Sequence, residues 1–199
     1  MKIKKIEKIC KNGAQILRVD VPSKTEKGLR NVFLGTEQAQ FELSGQFWDF
    51  PPESFFDIFG ISEKAQEKWW TDWEEATGED ASLYDDVYSG EETAYLQELV
   101  LSYGGISWKA FRYRGNKICF VPETLISVYD SEDEDIYYFV RKSGENKYLA
   151  VKIGMYLDGI IKIPKPELTK PLSEMRIAIQ KIALLDKGVL KGAGENADS

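Results

Sequence analysis

Apolar residues first recur at helical spacing over residues 2 to 11, where Ile3, Ile6, Ile9 and Cys10 share one face and lysines occupy the rest. Asn12-Gly13 supplies a helix stop, so the pattern predicts a short amphipathic helix with a basic outer face. QILRVDV, residues 15 to 21, alternates as a strand, and a second strand is expected through NVFLG and AQFEL, residues 31 to 43. Pro51-Pro52 breaks the chain ahead of ESFFDIFGI, a short helix with Phe55, Phe56 and Phe59 on its apolar side. Ser62 is a good N-cap for a further helix over 63 to 75, in which Ala65, Trp69, Trp73 and Ala76 recur at four, four and three. On that reading Trp69 and Trp73 face the core and Trp70 flanks them.

TGEDASLYDDVYSGEET, residues 77 to 93, has no sustained period and reads as a long surface loop, a common place for function. ETAYLQELVL, 92 to 101, suits a strand near its end. The chain from there to about residue 163 reads as a β-meander: Gly115-Asn116, Gly144-Glu145-Asn146 and Asp158-Gly159 each separate strand-like runs, which implies antiparallel pairing. Gly104-Gly105 is a turn. PLSEMRIAIQKIALL, 171 to 185, reads as the longest helix, with Leu172, Met175, Ile179, Ile182 and Leu185 toward the core, and 187 to 199 as a frayed tail.

The expected fold class is therefore α+β: antiparallel meander sheets, short N-terminal and central helices, and a longer C-terminal helix. At 199 residues the chain suits one domain over 1 to 186, or two similar halves at about 1 to 98 and 99 to 186.

Composition changes this picture chiefly by exclusion. Histidine is absent, so Ser-His-Asp and Cys-His nucleophile systems, histidine bases and histidine-ligated metals are ruled out. Cys10 and Cys119 lie in no CxxC pattern and fit reduced, buried thiols. With no signal-peptide pattern and no run of 18 apolar residues, the expected location is the cytoplasm, without membrane contact. Nothing matches GxGxxG or GxxxxGK[ST], and no cofactor or metal is expected.

Charge is unevenly placed. Residues 69 to 108 hold ten acids and no bases, a local −10 within a total of −7, which leaves the rest of the chain at +3. Within this window Asp80, Tyr84, Asp85, Asp86, Tyr88, Glu91 and Glu92 form an acidic aromatic loop, the expected partner-binding surface for an unidentified host or phage protein. The same acids Asp85-Asp86 and Glu91-Glu92 are the candidates for a carboxylate-based, magnesium-dependent hydrolase, although the loop offers neither fixed separations nor a supporting shell. DSEDED, 130 to 135, lacks the glycine and the distal glutamate of a calcium loop and reads as a connection. Basic residues cluster as Lys4, Lys5, Lys8 and Lys11 on the first helix, and as Lys109, Arg112 and Arg114 interleaved with Trp108, Phe111 and Tyr113. These are the candidate contacts for a nucleic-acid backbone.

MKIKKIEKICKNGAQILRVDV, NVFLGTEQAQFEL, PPESFFDIFGISEKAQEKW and KYLAVKIGMYLDGIIKIP resemble, in layout, small uncharacterised proteins carried by prophages of Gram-positive bacteria. The resemblance implies no catalytic residues. Helices combined with meanders in two halves also resemble the domains of DNA sliding clamps, which would suit a basic first helix against DNA. The sequence thus points first to a non-enzymatic interaction protein of phage or mobile-element type. A clamp-like DNA accessory and the magnesium hydrolase stand as alternatives, and self-association is left open.

Overall fold

A computed structural model describes residues 2–23, 30–43, 49–76, 83, 90–129, 135–165, 174, 175, 177, 178, 180 and 181. The chain forms α1 (Lys2–Gly13), the strands β1 (Gln15–Pro22), β2 (Arg30–Thr36) and β3 (Ala39–Leu43), then the short helices α2 (Ser54–Ile58) and α3 (Glu63–Gln66) and the strand β4 (Trp70–Glu75). It continues with β5 (Glu92–Tyr103), β6 (Ile106–Tyr113), β7 (Lys117–Pro122), α4 (Glu123–Ile126), a 3₁₀ turn at Ser127–Tyr129, β8 (Ile136–Ser143), β9 (Asn146–Ile153) and β10 (Tyr156–Ile163). All ten strands join one sheet in the order β4-β1-β2-β3-β10-β9-β8-β5-β6-β7. The fold is mixed α+β, with a large sheet and few, short helices.

Every neighbouring pair is antiparallel except β1 and β4. An α1–β1–β2–β3 run and an α4–β8–β9–β10 run share one order, a helix followed by a three-stranded meander, and meet where β3 pairs β10. The expected division near residue 98 falls inside β5.

One face of the sheet carries the main core. Ile6, Ile9 and Cys10 of α1, Phe55 and Phe56 of α2 with the adjacent Phe59, and Leu125 and Ile126 of α4 pack on Val32, Leu34, Phe41, Phe111, Leu149, Val151 and Ile161. This is the burial the i, i+3, i+4 pattern of the first helix requires. The other face holds two smaller clusters, one around Leu17, Val19, Phe33, Ala150 and Ile160, the other around Trp108, Ala110, Ile118 and Phe120.

Three expectations are corrected. Residues 31 to 43 form a hairpin of two strands, because Gly35 lets the returning chain approach closely: a Cβ there would stand 2.0 Å from the Ala39 carbonyl oxygen. The third meander turn lies at Gly154, with φ of +59°, while Asp158 and Gly159 sit inside β10 at a register shift. A side chain at Gly159 would meet the Tyr129 hydroxyl at 1.8 Å, so this glycine serves packing, not a turn. Over 63 to 75, finally, the helix ends at Gln66 and, after a short turn, a strand takes Trp70–Glu75.

Of the C-terminal helix expected over 171 to 185, residues 174, 175, 177, 178, 180 and 181 are described and helical, and Met175 and Ile177 are exposed. The remaining positions of that helix and the expected tail lie outside the described residues. Among the described residues no helix is long and apolar enough to cross a membrane.

Gly35→Ala must displace backbone, not a flexible side chain, and is expected to lower stability by at least about 2 kcal/mol, read as a lower urea midpoint with unchanged m-value.

Candidate functional site

The acidic aromatic segment begins on a strand, not on a helix. Trp70–Glu75 pairs in parallel with β1, Trp70 against Gln15 and Glu75 against Asp20. The spacing of Ala65, Trp69, Trp73 and Ala76 imitates a helix, but WTDW is rich in residues that suit a strand, and the ladder with β1 prevails. Of the two tryptophans expected to face the core, Trp69 keeps the inward role, its ring edge-on to Phe56 at 5.9 Å between centroids, while Trp73 is exposed.

A buried charge holds β4 in place. Arg18 is fully buried, and its guanidinium donates to both Asp20 oxygens, from Nε at 2.7 Å and from the terminal nitrogen Nη2 at 3.0 Å, while Nη1 donates to the Phe50 carbonyl. The same guanidinium lies 4.4 Å from the centre of the Trp73 ring, and Arg30 reaches Asp20 from the other side at 2.9 Å. A planar, delocalised cation can be paired in its plane and stacked on its face at once, which lysine could not do. Alternation in QILRVDV would place Arg18 and Asp20 toward solvent; the available signal was their i, i+2 spacing, which puts opposite charges on one face of a strand.

As a result β4 ends the sheet with Trp70 39% and Trp73 48% exposed beside the exposed Glu74 and Glu75. Asp72 accepts the Trp73 backbone N–H at 2.8 Å. Past Ala76, whose N–H donates to the Asp20 carbonyl at 2.8 Å, the chain is described again at Leu83; Ala76 and Leu83 are both buried in the cluster with Leu17 and Val19.

Asp80, Tyr84, Asp85, Asp86 and Tyr88 of the expected loop lie outside the described residues. The two acids that close it point inward. Glu91 pairs with the fully buried Arg141 at 2.9 Å and with Lys152 at 3.2 Å. Glu92 pairs with Arg114 at 3.0 Å from the opposite face of β5. Both carboxylates are thereby committed to cations of the same chain, Glu91 to a buried arginine and Glu92 to an exposed one.

The basic candidates are divided between the two faces of the sheet. On α1, Lys5 donates to the Ser127 carbonyl, Lys11 pairs with Glu7 at 2.6 Å, and Lys2 pairs with Asp158. Lys4 and Lys8 are exposed one helical turn apart. Lys109 pairs with Glu123 of α4 at 3.1 Å on the helix-covered face, whereas Arg112 shares the opposite face with Trp108 and Ala110. Arg112, Arg114, Tyr95 and Tyr113 line a shallow cavity of about 160 Å³.

Among the described residues no three His, Cys, Asp or Glu side chains are grouped to hold a metal, and of DSEDED only Asp135 is described. A second small cavity, about 120 Å³, brings Glu37 and Glu74 near Gln40, Tyr148 and Lys162. Its carboxylates differ from those the sequence suggested for a hydrolase. Cys10 and Cys119 are free and buried, and burial pushes the Cys10 thiol up to about 12.

One titrating cluster lies where α1 meets β10. Burial raises the Glu42 carboxyl above its usual range, Lys2 draws it down and Asp158 pushes it up. Burial also raises the Tyr129 hydroxyl well above its usual value, with Asp158 adding to it; the hydroxyl faces this carboxylate without the geometry of an ordinary hydrogen bond. The folded chain holds the Glu42 proton more tightly than the unfolded chain, so this group favours folding below the ordinary carboxylate range and loses that contribution as pH rises through its folded value. Glu42→Gln is therefore expected to raise Tm at neutral pH and to match the parent chain below about pH 4, as thermal unfolding across pH will show.

Glu91→Gln leaves Arg141 buried beside a neutral partner and is expected to cost about 3 kcal/mol. Glu92→Gln removes a pair with an exposed arginine and should cost less than about 1 kcal/mol, so chemical denaturation of the two variants separates them. Compared with family models, curated proteins and solved structures, the chain matches none.

Proposed function

We propose that this chain is a non-enzymatic interaction protein that binds a basic polypeptide, from a host or a phage, along β4 and the acidic segment after it. The observation that carries the reading is the pair of tryptophans on the outermost strand, 39% and 48% exposed, set beside Glu74 and Glu75. Large aromatic side chains at the surface are the residues that dominate binding energy when a partner covers them. The neighbouring carboxylates steer a basic partner toward the edge and select against acidic ones. An edge strand also offers backbone N–H and C=O groups to an extended segment of the partner.

Arg18 gives this surface its rigidity. Stacking on Trp73 fixes one tryptophan before a partner arrives, so less side-chain freedom is lost on binding. DNA mimicry is a special case of the same reading, in which the partner's basic surface is one that ordinarily holds phosphate.

Combining Trp70→Ala, Glu74→Gln and Glu75→Gln alters exposed side chains of β4 and leaves Arg18 paired. Capture from host lysate, followed by identification of the bound proteins, is expected to lose a basic partner in the triple variant. Duplex DNA added as competitor separates DNA mimicry from other protein recognition. An unchanged set of captured proteins rejects the proposal.

A further inference from the structure

The face of the sheet turned away from α1, α2 and α4 carries a line of four side chains across neighbouring strands. Lys152 of β9 stands opposite Tyr137 of β8, and Tyr95 of β5 stands opposite Arg112 of β6. β8 and β5 pair as far as Tyr138 with Ala94, so the next position along sets Tyr137 beside Tyr95. Alternation puts all four on one side: Val151, Tyr138, Ala94 and Phe111, their neighbours in sequence, pack in the main core on the other face. Across the sheet the order is cation, tyrosine, tyrosine, cation, over three strand spacings or about 14 Å.

The row is open to solvent and one of its cations is uncommitted. Tyr95 is 59% and Tyr137 48% exposed. Arg112 is half-buried and makes no hydrogen bond or ion pair among the described residues. At the other end Lys152 pairs with Glu91 at 3.2 Å, but that carboxylate is shared with the buried Arg141. Three cations thus stand against one carboxylate, and the row is locally positive in a chain whose total is −7. Beside Tyr95 and Arg112 lies the cavity of about 160 Å³, which leaves room for a ligand group against the guanidinium.

We propose that this row binds a single-stranded nucleic acid, with bases stacked on Tyr95 and Tyr137 and a backbone phosphate held by Arg112. A flat sheet face with aromatic side chains on adjacent strands is one of the general ways in which unpaired bases are held. The guanidinium of an arginine without an acceptor matches the paired oxygens of a phosphate. Charge selects the occupant. Cations at both ends of the row repel the basic polypeptide proposed for β4 and attract a polyanion. Duplexes are disfavoured, because their bases already stack on one another and offer no free face to a ring. Rings and phosphates are common to DNA and RNA, so the same four side chains serve a single strand of either kind.

The row is separate from β4, which forms one end of the sheet. The test is fluorescence anisotropy of the full chain with labelled oligothymidylate and, in parallel, oligouridylate, each of about twelve nucleotides, across a salt series. Binding at low salt that weakens as salt rises, and that exceeds binding to a duplex of the same length, is expected for at least one of the two. Tyr95→Ala/Tyr137→Ala, a change at exposed positions, is expected to lower affinity at least about tenfold, while Tyr95→Phe/Tyr137→Phe keeps the rings and binds as the parent chain does. Arg112→Gln is expected to reduce the slope of log affinity against log salt by about one. Trp70→Ala/Glu74→Gln/Glu75→Gln is expected to bind both oligonucleotides unchanged, so failure at this row and failure at β4 are told apart. No binding to either oligonucleotide at low salt, undiminished binding by the alanine pair, or equal affinity for duplex would each overturn the proposal.

Discussion

The sheet is continuous because β3 and β10 pair, and that contact is short. Gly159 lies opposite Phe41, Ile160 opposite Gln40 and Ile161 opposite Ala39, with Lys162 donating from its backbone to the Gln38 carbonyl at 2.8 Å. Each meander by itself would leave a long edge in water and half a core uncovered. Joined, they give one surface broad enough to take α1, α2 and α4 on the same side. The closeness of the join explains two local features: Gly159, where the Tyr129 ring crosses β10, and the Lys2–Asp158 pair, which ties the first helix to the last strand.

Buried charge is the second organising device. Arg18 and Asp20 of β1, and Arg141 of β8 with Glu91 just before β5, lie where an apolar side chain would pack more readily. Ion pairs of this kind are weak sources of net stability, but breaking one is costly. Their effect is to fix geometry. Arg18 sets the outermost strand against β1 and holds the face of Trp73; Arg141 draws the residue just before β5 onto the second face of the sheet. The two strands that carry the exposed aromatic surfaces are each placed beside such a pair.

Much of this was legible in the sequence, and the failures have identifiable causes. The α1 stripe, the Phe55-Phe56-Phe59 helix and the turns at Gly115 and Gly144 were readable because periodicity and turn chemistry agree there. Residues 63 to 75 misled because the spacing of large apolar groups is only one determinant; a parallel partner contributed by β1 is invisible locally. Asp158-Gly159 misled because a glycine kept for close packing has the same letters as one kept for a turn. The candidate site was partly visible: the acidic aromatic segment could be located from charge alone, but not which of its acids are free. Glu91 and Glu92 are engaged by cations more than twenty residues away, a distance no local pattern spans. That β5 leaves Tyr95, Leu96 and Val100 exposed was not legible, because an exposed strand and a buried one are written with the same residues.

The β3–β10 join also orders events during synthesis. β1, β2 and β3 leave the ribosome early, yet the strand that covers the β3 edge is made more than a hundred residues later. Until then the N-terminal meander exposes Phe41 and Leu43 on an open edge, a template for wrong pairing between nascent chains. Contacts this distant in the chain must await closure of a long loop, so the last step of folding is the slow one. A chain interrupted before β10 therefore presents an edge that the finished protein hides.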